Sequence, residues 1–183
     1  MKTFEEIWSL SETITGAFDK REAEAVYNTV KDLGEDNCVV EIGSYLGRSS
    51  SVIGQVAKDK GFIFYCIDPF VETAIKDFMA NMLRVNAGYV LFNKTSVAAN
   101  VDWKNGTYPK IDFLLVDGGH HYPEVRNDCL LWLPLLVDGG TVAFHDYQSS
   151  WHGVKKAVDK YVTGSFGYNE TVVSMKMFRK YND

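Results

Sequence analysis

The chain has 183 residues, 46% of them hydrophobic, and a formal net charge of -5. That length and apolar share suit one domain able to bury its own core without metal or disulfide support. The acidic balance and the scattered Lys and Arg exclude the basic footprint that nucleic acid requires, so nucleic acid is not an expected partner.

Along the chain, residues 1–37 carry helical patterning: Asp19 suits an N-cap, and Ala23, Val26, Tyr27, Val30 and Leu33 recur at helical spacing before Gly34. They are expected to form an N-terminal helical cap on the domain of residues 38–183. The opening Met1-Lys2-Thr3-Phe4-Glu5-Glu6 turns acidic where a signal peptide would turn apolar. The longest apolar stretch, residues 130–137, is interrupted by Pro134 and falls far short of the roughly 20 residues of a membrane span. A cytoplasmic protein without membrane contact is expected. Cys38, Cys66 and Cys129 lie in apolar runs without metal-ligand spacing and read as reduced, buried thiols.

After the cap, β-branched runs alternate with amphipathic stretches, the pattern of βαβ units. Strands are expected at 38–42, 63–67, 89–92, 111–116 and 141–144, and helices at 49–58, 72–85, 123–136 and 152–161. This is an α/β fold with a doubly wound, mainly parallel sheet. Residues 170–179 have strand composition without a preceding crossover helix, which predicts an antiparallel C-terminal edge hairpin. Phe78, Met79, Met82 and Leu83, like the leucines of 130–136, are expected in the core.

In open α/β sheets a ligand sits beyond the carboxyl ends of the strands. The loop after the first strand, Glu41-Ile42-Gly43-Ser44-Tyr45-Leu46-Gly47, has two glycines for a tight turn and leads into a helix N-terminus near Arg48 and Ser49. A dinucleotide fingerprint needs glycine where Tyr45 and Arg48 stand, so pyrophosphate fits poorly. S-adenosylmethionine has no phosphate; its carboxylate suits the helix N-terminus, and its ammonium and sulfonium suit an acid such as Glu41. Asp68 ends the second strand, 25 residues after Gly43, where a carboxylate can accept both ribose hydroxyl protons.

On these residues the chain resembles the class I S-adenosylmethionine-dependent methyltransferases, from about Val39 onward, with Rossmann-like architecture implied. Asp117-Gly118-Gly119-His120-His121-Tyr122 and 139–147, ending in His145-Asp146-Tyr147, resemble motifs of the small-molecule O-methyltransferase branch, which includes enzymes acting on catechols and on macrolide sugars. The resemblance implies a cofactor site of Glu41, Gly43, Ser44, Tyr45, Gly47, Ser49, Asp68 and Asp117, with Ser96 at the adenine. It also implies a small-molecule hydroxyl acceptor.

Asp117 and Asp146 end neighbouring strands and can converge although 29 residues apart. With His145 they could hold a hard divalent cation such as Mg²⁺, which in the resembling branch lowers the pKa of the attacking hydroxyl. His145 stands where that branch usually has an acidic or amide oxygen. Without metal, Asp146 could orient His120 or His121. His120, three residues past Asp117, matches the position of a general base in the macrolide-sugar enzymes. His121 and His152 read as capping or packing residues, and Trp151 and Tyr147 as candidate walls of an acceptor pocket. Two other readings stay open: a metal-dependent hydrolase or oxygenase built on Asp117, His120, His145 and Asp146, and a non-catalytic cofactor-binding subunit. The sequence leaves the choice between monomer and homo-oligomer open.

Overall fold

The computed structural model describes residues 1–162, 164 and 166–182. Two helices, α1 (Phe4–Ser11) and α2 (Lys20–Val30), precede the sheet. Each begins with a capping box, Thr3 with Glu6 and Asp19 with Glu22, which satisfies backbone N–H groups left free at the helix start. Then follow β1 (Cys38–Ile42), α3 (Arg48–Lys60), β2 (Ile63–Ile67), α4 (Glu72–Arg84), β3 (Val90–Phe92), α5 (Ser96–Asn105), β4 (Ile111–Val116), α6 (Tyr122–Trp132), β5 (Leu136–Phe144), α7 (His152–Tyr161), β6 (Phe166–Val172) and β7 (Met175–Lys180).

The strands form one seven-stranded sheet in the order β3-β2-β1-β4-β5-β7-β6. The first five are parallel; β7 pairs antiparallel with both β5 and β6, so the expected edge hairpin is present, with its second strand on the inside. β1 is buried along its whole length, which explains its unbroken apolar run apart from Glu41. Alternate residues feed opposite faces. Val39, Phe64 and Phe113 pack with α1, α2 and α3, while Val40, Tyr65 and Leu114 pack with α5, α6 and α7. Residues 1–37 thus share a hydrophobic layer with the sheet.

Four expectations need correction. α5 between β3 and β4 was not anticipated, because its buried side is only Ala99, Asn100 and Trp103 while Val97 and Val101 face solvent. The helix expected over 123–136 ends at Trp132: Pro134 lies in a 3-10 turn, Leu133–Leu135, and Leu136 already starts β5, which is longer than 141–144. Of the apolar residues of α4, Phe78 and Met82 are buried, but Met79 and Leu83 are 50% and 82% exposed. Leu130 on α6 is also exposed. Among the described residues, no helix is long and apolar enough to cross a membrane.

β1 and β4 lie side by side at the sheet centre, and the chain runs outward from them in both directions. Their carboxyl ends therefore open a crevice between the loops that follow them.

Candidate active site

The loop after β1 is fastened from three directions. Gly43 has φ +88°, and a Cβ there would meet the Asp117 carbonyl oxygen at 2.1 Å, so only glycine lets the loops after β1 and β4 touch. Gly47, at φ 93°, starts α3 without a side-chain cap, leaving its first N–H groups for a ligand. Asp68 accepts hydrogen bonds on Oδ2 from the Ser44 and Tyr45 amides, at 3.0 and 2.9 Å, and its Oδ1 accepts none from the described residues. Tyr45 takes φ 45°, is half-exposed and lies over the crevice.

Glu41 lies beneath this loop with no accessible surface. Its Oε2 accepts from Ser44 Oγ at 2.8 Å and from Ser50 Oγ, whereas Oε1 has no partner among the described residues. Burial pushes its carboxyl up to about 7, against the bonds from Ser50 and Ser44. The carboxylate expected at the ligand's ammonium is thus a support of the loop, covered by Ser44.

Two cavities meet at the strand ends. One, of about 580 Å³, is lined by Asp68, Pro69, Thr95, Ser96, Glu124 and Asp128 among others. The second, of about 230 Å³, is lined by Thr15, Gly16, Ala17 and Phe18, from the segment joining α1 and α2, and by Ser44, Arg48, Ser49, His145 and Asp146. Gly43, Tyr45, Asp117 and His120 line both. Ser96 Oγ donates to Asp128 on α6, whose buried carboxyl is pushed up to about 6 by burial, opposed by that bond. Arg48 fastens the segment: its Nε donates to the Ile14 carbonyl at 2.6 Å and its Nη2 to the Glu12 carbonyl at 3.0 Å.

Beyond β4 and β5 the charged groups converge as expected. His120 Nε2 lies 2.9 Å from Asp146 Oδ2, and the His120 ring stacks on Trp151, with centroids 4.8 Å apart and planes at 15°. Asp146 sits at φ 58°, a left-handed position that Asp tolerates better than most residues and that marks a local constraint. His145 is buried on the other side of the carboxylates. Its Nδ1 lies 3.0 Å from Asp117 Oδ1 and 3.3 Å from Asp146 Oδ2, outside the angles of a directed hydrogen bond, and its Nε2 lies 3.1 Å from Glu22 Oε2. Burial alone would pull the imidazole pKa down; Asp117, Asp146 and Glu22 outweigh it and push it up to about 12, so His145 is an imidazolium. The adjacent His145 ring, with its Nδ1 3.3 Å from Oδ2, holds Asp146 below the ordinary carboxylate range, while burial raises Asp117.

The groups whose ligand atoms gather within 4.8 Å of one another are Asp117, His120 and Asp146. The expected metal set had His145 in place of His120; a cationic His145 with its Nε2 at Glu22 is a poor ligand, whereas two carboxylates and His120 fit a divalent cation.

Of the remaining expectations, the amide of His121 donates to Glu124 Oε2 at the start of α6, and His152 is exposed at the start of α7. Neither Tyr147 nor Trp151 lines these cavities: Tyr147 is buried, with its hydroxyl on Asp159 at 2.6 Å, and Trp151 is 45% exposed. Sequence reasoning missed Glu22, the 15–18 segment, the fastening role of Arg48, and Asp128. The Asp19-Glu22 spacing signals a helix cap and nothing more; only long-range packing shows its second use.

A family model for the methyltransferase domain matches residues 40–147. Protein R132 of Acanthamoeba polyphaga mimivirus, which is uncharacterised, is 30% identical over 138 residues, 70% of this chain; the chain spans 60% of that protein's length. Among solved structures, the O-methyltransferase of Bacillus cereus in complex with S-adenosylhomocysteine has a TM-score of 0.72 at 13% identity, covering 98% of this chain and 92% of that one. TomG, the O-methyltransferase of Streptomyces achromogenes involved in tomaymycin synthesis, solved with S-adenosylmethionine, has a TM-score of 0.72 at 9% identity, covering 98% and 89%. With a glycine turn at the end of β1, a carboxylate at the end of β2 and the family model matched over residues 40–147, the chain belongs to the methyltransferase domain family, on the class I, S-adenosylmethionine-dependent fold.

Proposed function

We propose that the protein transfers the methyl group of S-adenosylmethionine to a hydroxyl of a small molecule, with His120 as general base. The observation that carries this reading is the pair of cavities meeting at Gly43, Tyr45, Asp117 and His120. The larger offers Asp68 for ribose hydroxyls and the Ser96–Asp128 pair for the adenine; the smaller offers the uncapped α3 N-terminus and Ser49 for a carboxylate. A ligand spanning both has its centre beside Asp117 and His120.

The bound cofactor supplies an electrophilic methyl group on a sulfonium. The chain's part is alignment and one proton transfer. With Nε2–H donated to Asp146 Oδ2, the His120 Nδ1 is the basic nitrogen that takes the acceptor's hydroxyl proton, and Asp146 stabilises the imidazolium formed. Trp151 holds the ring from one face. Asp117, His120 and Asp146 are also the residues that would hold a divalent cation, whose chemistry would be to lower the acceptor hydroxyl's pKa.

The test is calorimetry with S-adenosylhomocysteine followed by turnover of S-adenosylmethionine on a panel of phenols, catechols and sugar alcohols. Micromolar binding with methyl ether formation is expected. Binding without turnover on any acceptor favours a non-catalytic cofactor-binding subunit, and no binding overturns the reading.

A further inference from the structure

We propose that Glu22 on α2 is a positioning residue of the site, which holds His145 so that Asp117, Asp146 and, through Asp146, His120 keep their places. The inference rests on the general-base reading of His120. Glu22 is 1% exposed, and its two carboxylate oxygens are divided between two tasks. Oε1 accepts the amide of Ser174 at 2.9 Å, the Ser174 hydroxyl at 2.8 Å and the amide of Met175 at 3.0 Å, all at the turn between β6 and β7. Oε2 accepts the Asp19 amide at 3.0 Å, closing the capping box, and meets His145 Nε2 at 3.1 Å.

A carboxylate needed only to staple the C-terminal hairpin to α2 would be satisfied by the first set. The remaining contact has a different consequence, because a buried imidazole has two ring nitrogens and each needs a partner that fixes its proton. Glu22 accepts from Nε2, and Phe18 covers the ring at 5.5 Å between centroids. Nδ1 is thereby set against Asp117 and Asp146, whose Oδ2 also receives His120. The order of contacts is α2, then His145 and Asp146 beyond β5 with Asp117 beside them at the end of β4, then the proposed base on Asp146. Three segments distant in sequence, around residues 22, 145 and 174, therefore have to close together before the strand-end carboxylates are in register.

The experiment compares three variants in the full chain. Glu22→Gln keeps the side-chain volume and an oxygen for Ser174 and Met175, but turns an NH₂ group toward His145. It is expected to lower kcat by about 10–100-fold, the usual scale for a slightly misplaced catalytic group, with S-adenosylhomocysteine affinity and acceptor KM within about threefold of wild type. The ¹⁵N-edited NMR signal of the His145 Nε2–H should shift or disappear. Ser174→Ala, which loosens only the hairpin side, should lower Tm and leave kcat within about twofold. If Glu22→Gln does not fold, Glu22→Asp is measured, with an intermediate loss of kcat and a shifted Nε2–H signal expected. A folded Glu22 variant with wild-type kcat and an unmoved signal overturns the proposal, as does a Ser174→Ala enzyme losing as much kcat as Glu22→Gln. Should the wild type methylate no acceptor, the function reading fails alone, and the Nε2–H signal still decides whether Glu22 orders the site.

Discussion

Gly43 and Asp117 touch through their backbones: a methyl group added to Gly43 would lie 2.1 Å from the Asp117 carbonyl oxygen and 2.6 Å from the Gly118 Cα. Both contacts are to backbone, which cannot swing away. Gly43→Ala should therefore separate the loops after β1 and β4, costing on the order of 1–3 kcal/mol from overpacking and a left-handed φ. The expected outcome is a lower Tm together with at least a tenfold weaker S-adenosylhomocysteine affinity by calorimetry. Wild-type affinity would show that the junction of the two cavities is not where the cofactor lies.

His120→Ala should cut kcat by about 10²–10⁴-fold, the range of a lost general base, while cofactor affinity changes little. Asp146→Asn should fall in between, since Asn tolerates the left-handed φ of 58° but no longer stabilises the imidazolium. Single-turnover kinetics with saturating cofactor separates these effects from binding.

Turnover should persist in excess EDTA, because the His145 imidazolium already sets positive charge against Asp117 and Asp146. Activity lost to chelation and restored by Mg²⁺ would instead make His120 a ligand of a cation held with the two carboxylates.

Burial pushes the Glu41 carboxyl from its ordinary 4.5 to about 7. Between those values the folded chain holds a proton that the unfolded chain gives up, so this group's contribution to stability falls as pH rises through that window. By linkage the loss is at most about 3 kcal/mol. Glu41→Gln cannot titrate. Urea unfolding at pH 5 and pH 8 should show the variant gaining on the wild type as pH rises; a constant difference would show that Glu41 ionises without penalty.

Arg48→Met should release residues 12–18, because two of its donors hold the Ile14 and Glu12 carbonyls. A loss on the order of 2 kcal/mol is expected, with faster amide exchange confined to that segment and a raised KM for S-adenosylmethionine. Arg48→Lys should behave similarly, since one ammonium does not reproduce a planar fork.

Much of this site is legible in the sequence. The apolar runs, the glycines at 43 and 47, and the strand-end positions of Asp68, Asp117 and Asp146 follow from period-2 and helical patterning and from the rule that ligands sit at carboxyl strand ends. These depend on neighbours in the chain or on one topological rule. α5 was not legible because its buried face is short and partly polar, and the end of α6 was misread because Pro134 could close a helix or interrupt one.

The sequence by itself thus determined the fold class, the glycine loop after β1 and the set of charged residues at the strand ends, because local periodicity and backbone freedom dictate them. Tertiary structure alone decided how those charges pair. That His145 links Glu22 to the strand-end carboxylates, that His120 joins Asp146, and that Glu41 hides beneath Ser44 depend on burial and on contacts between residues up to 153 positions apart. Burial energies of that kind belong to the packed molecule and have no signature in spacing.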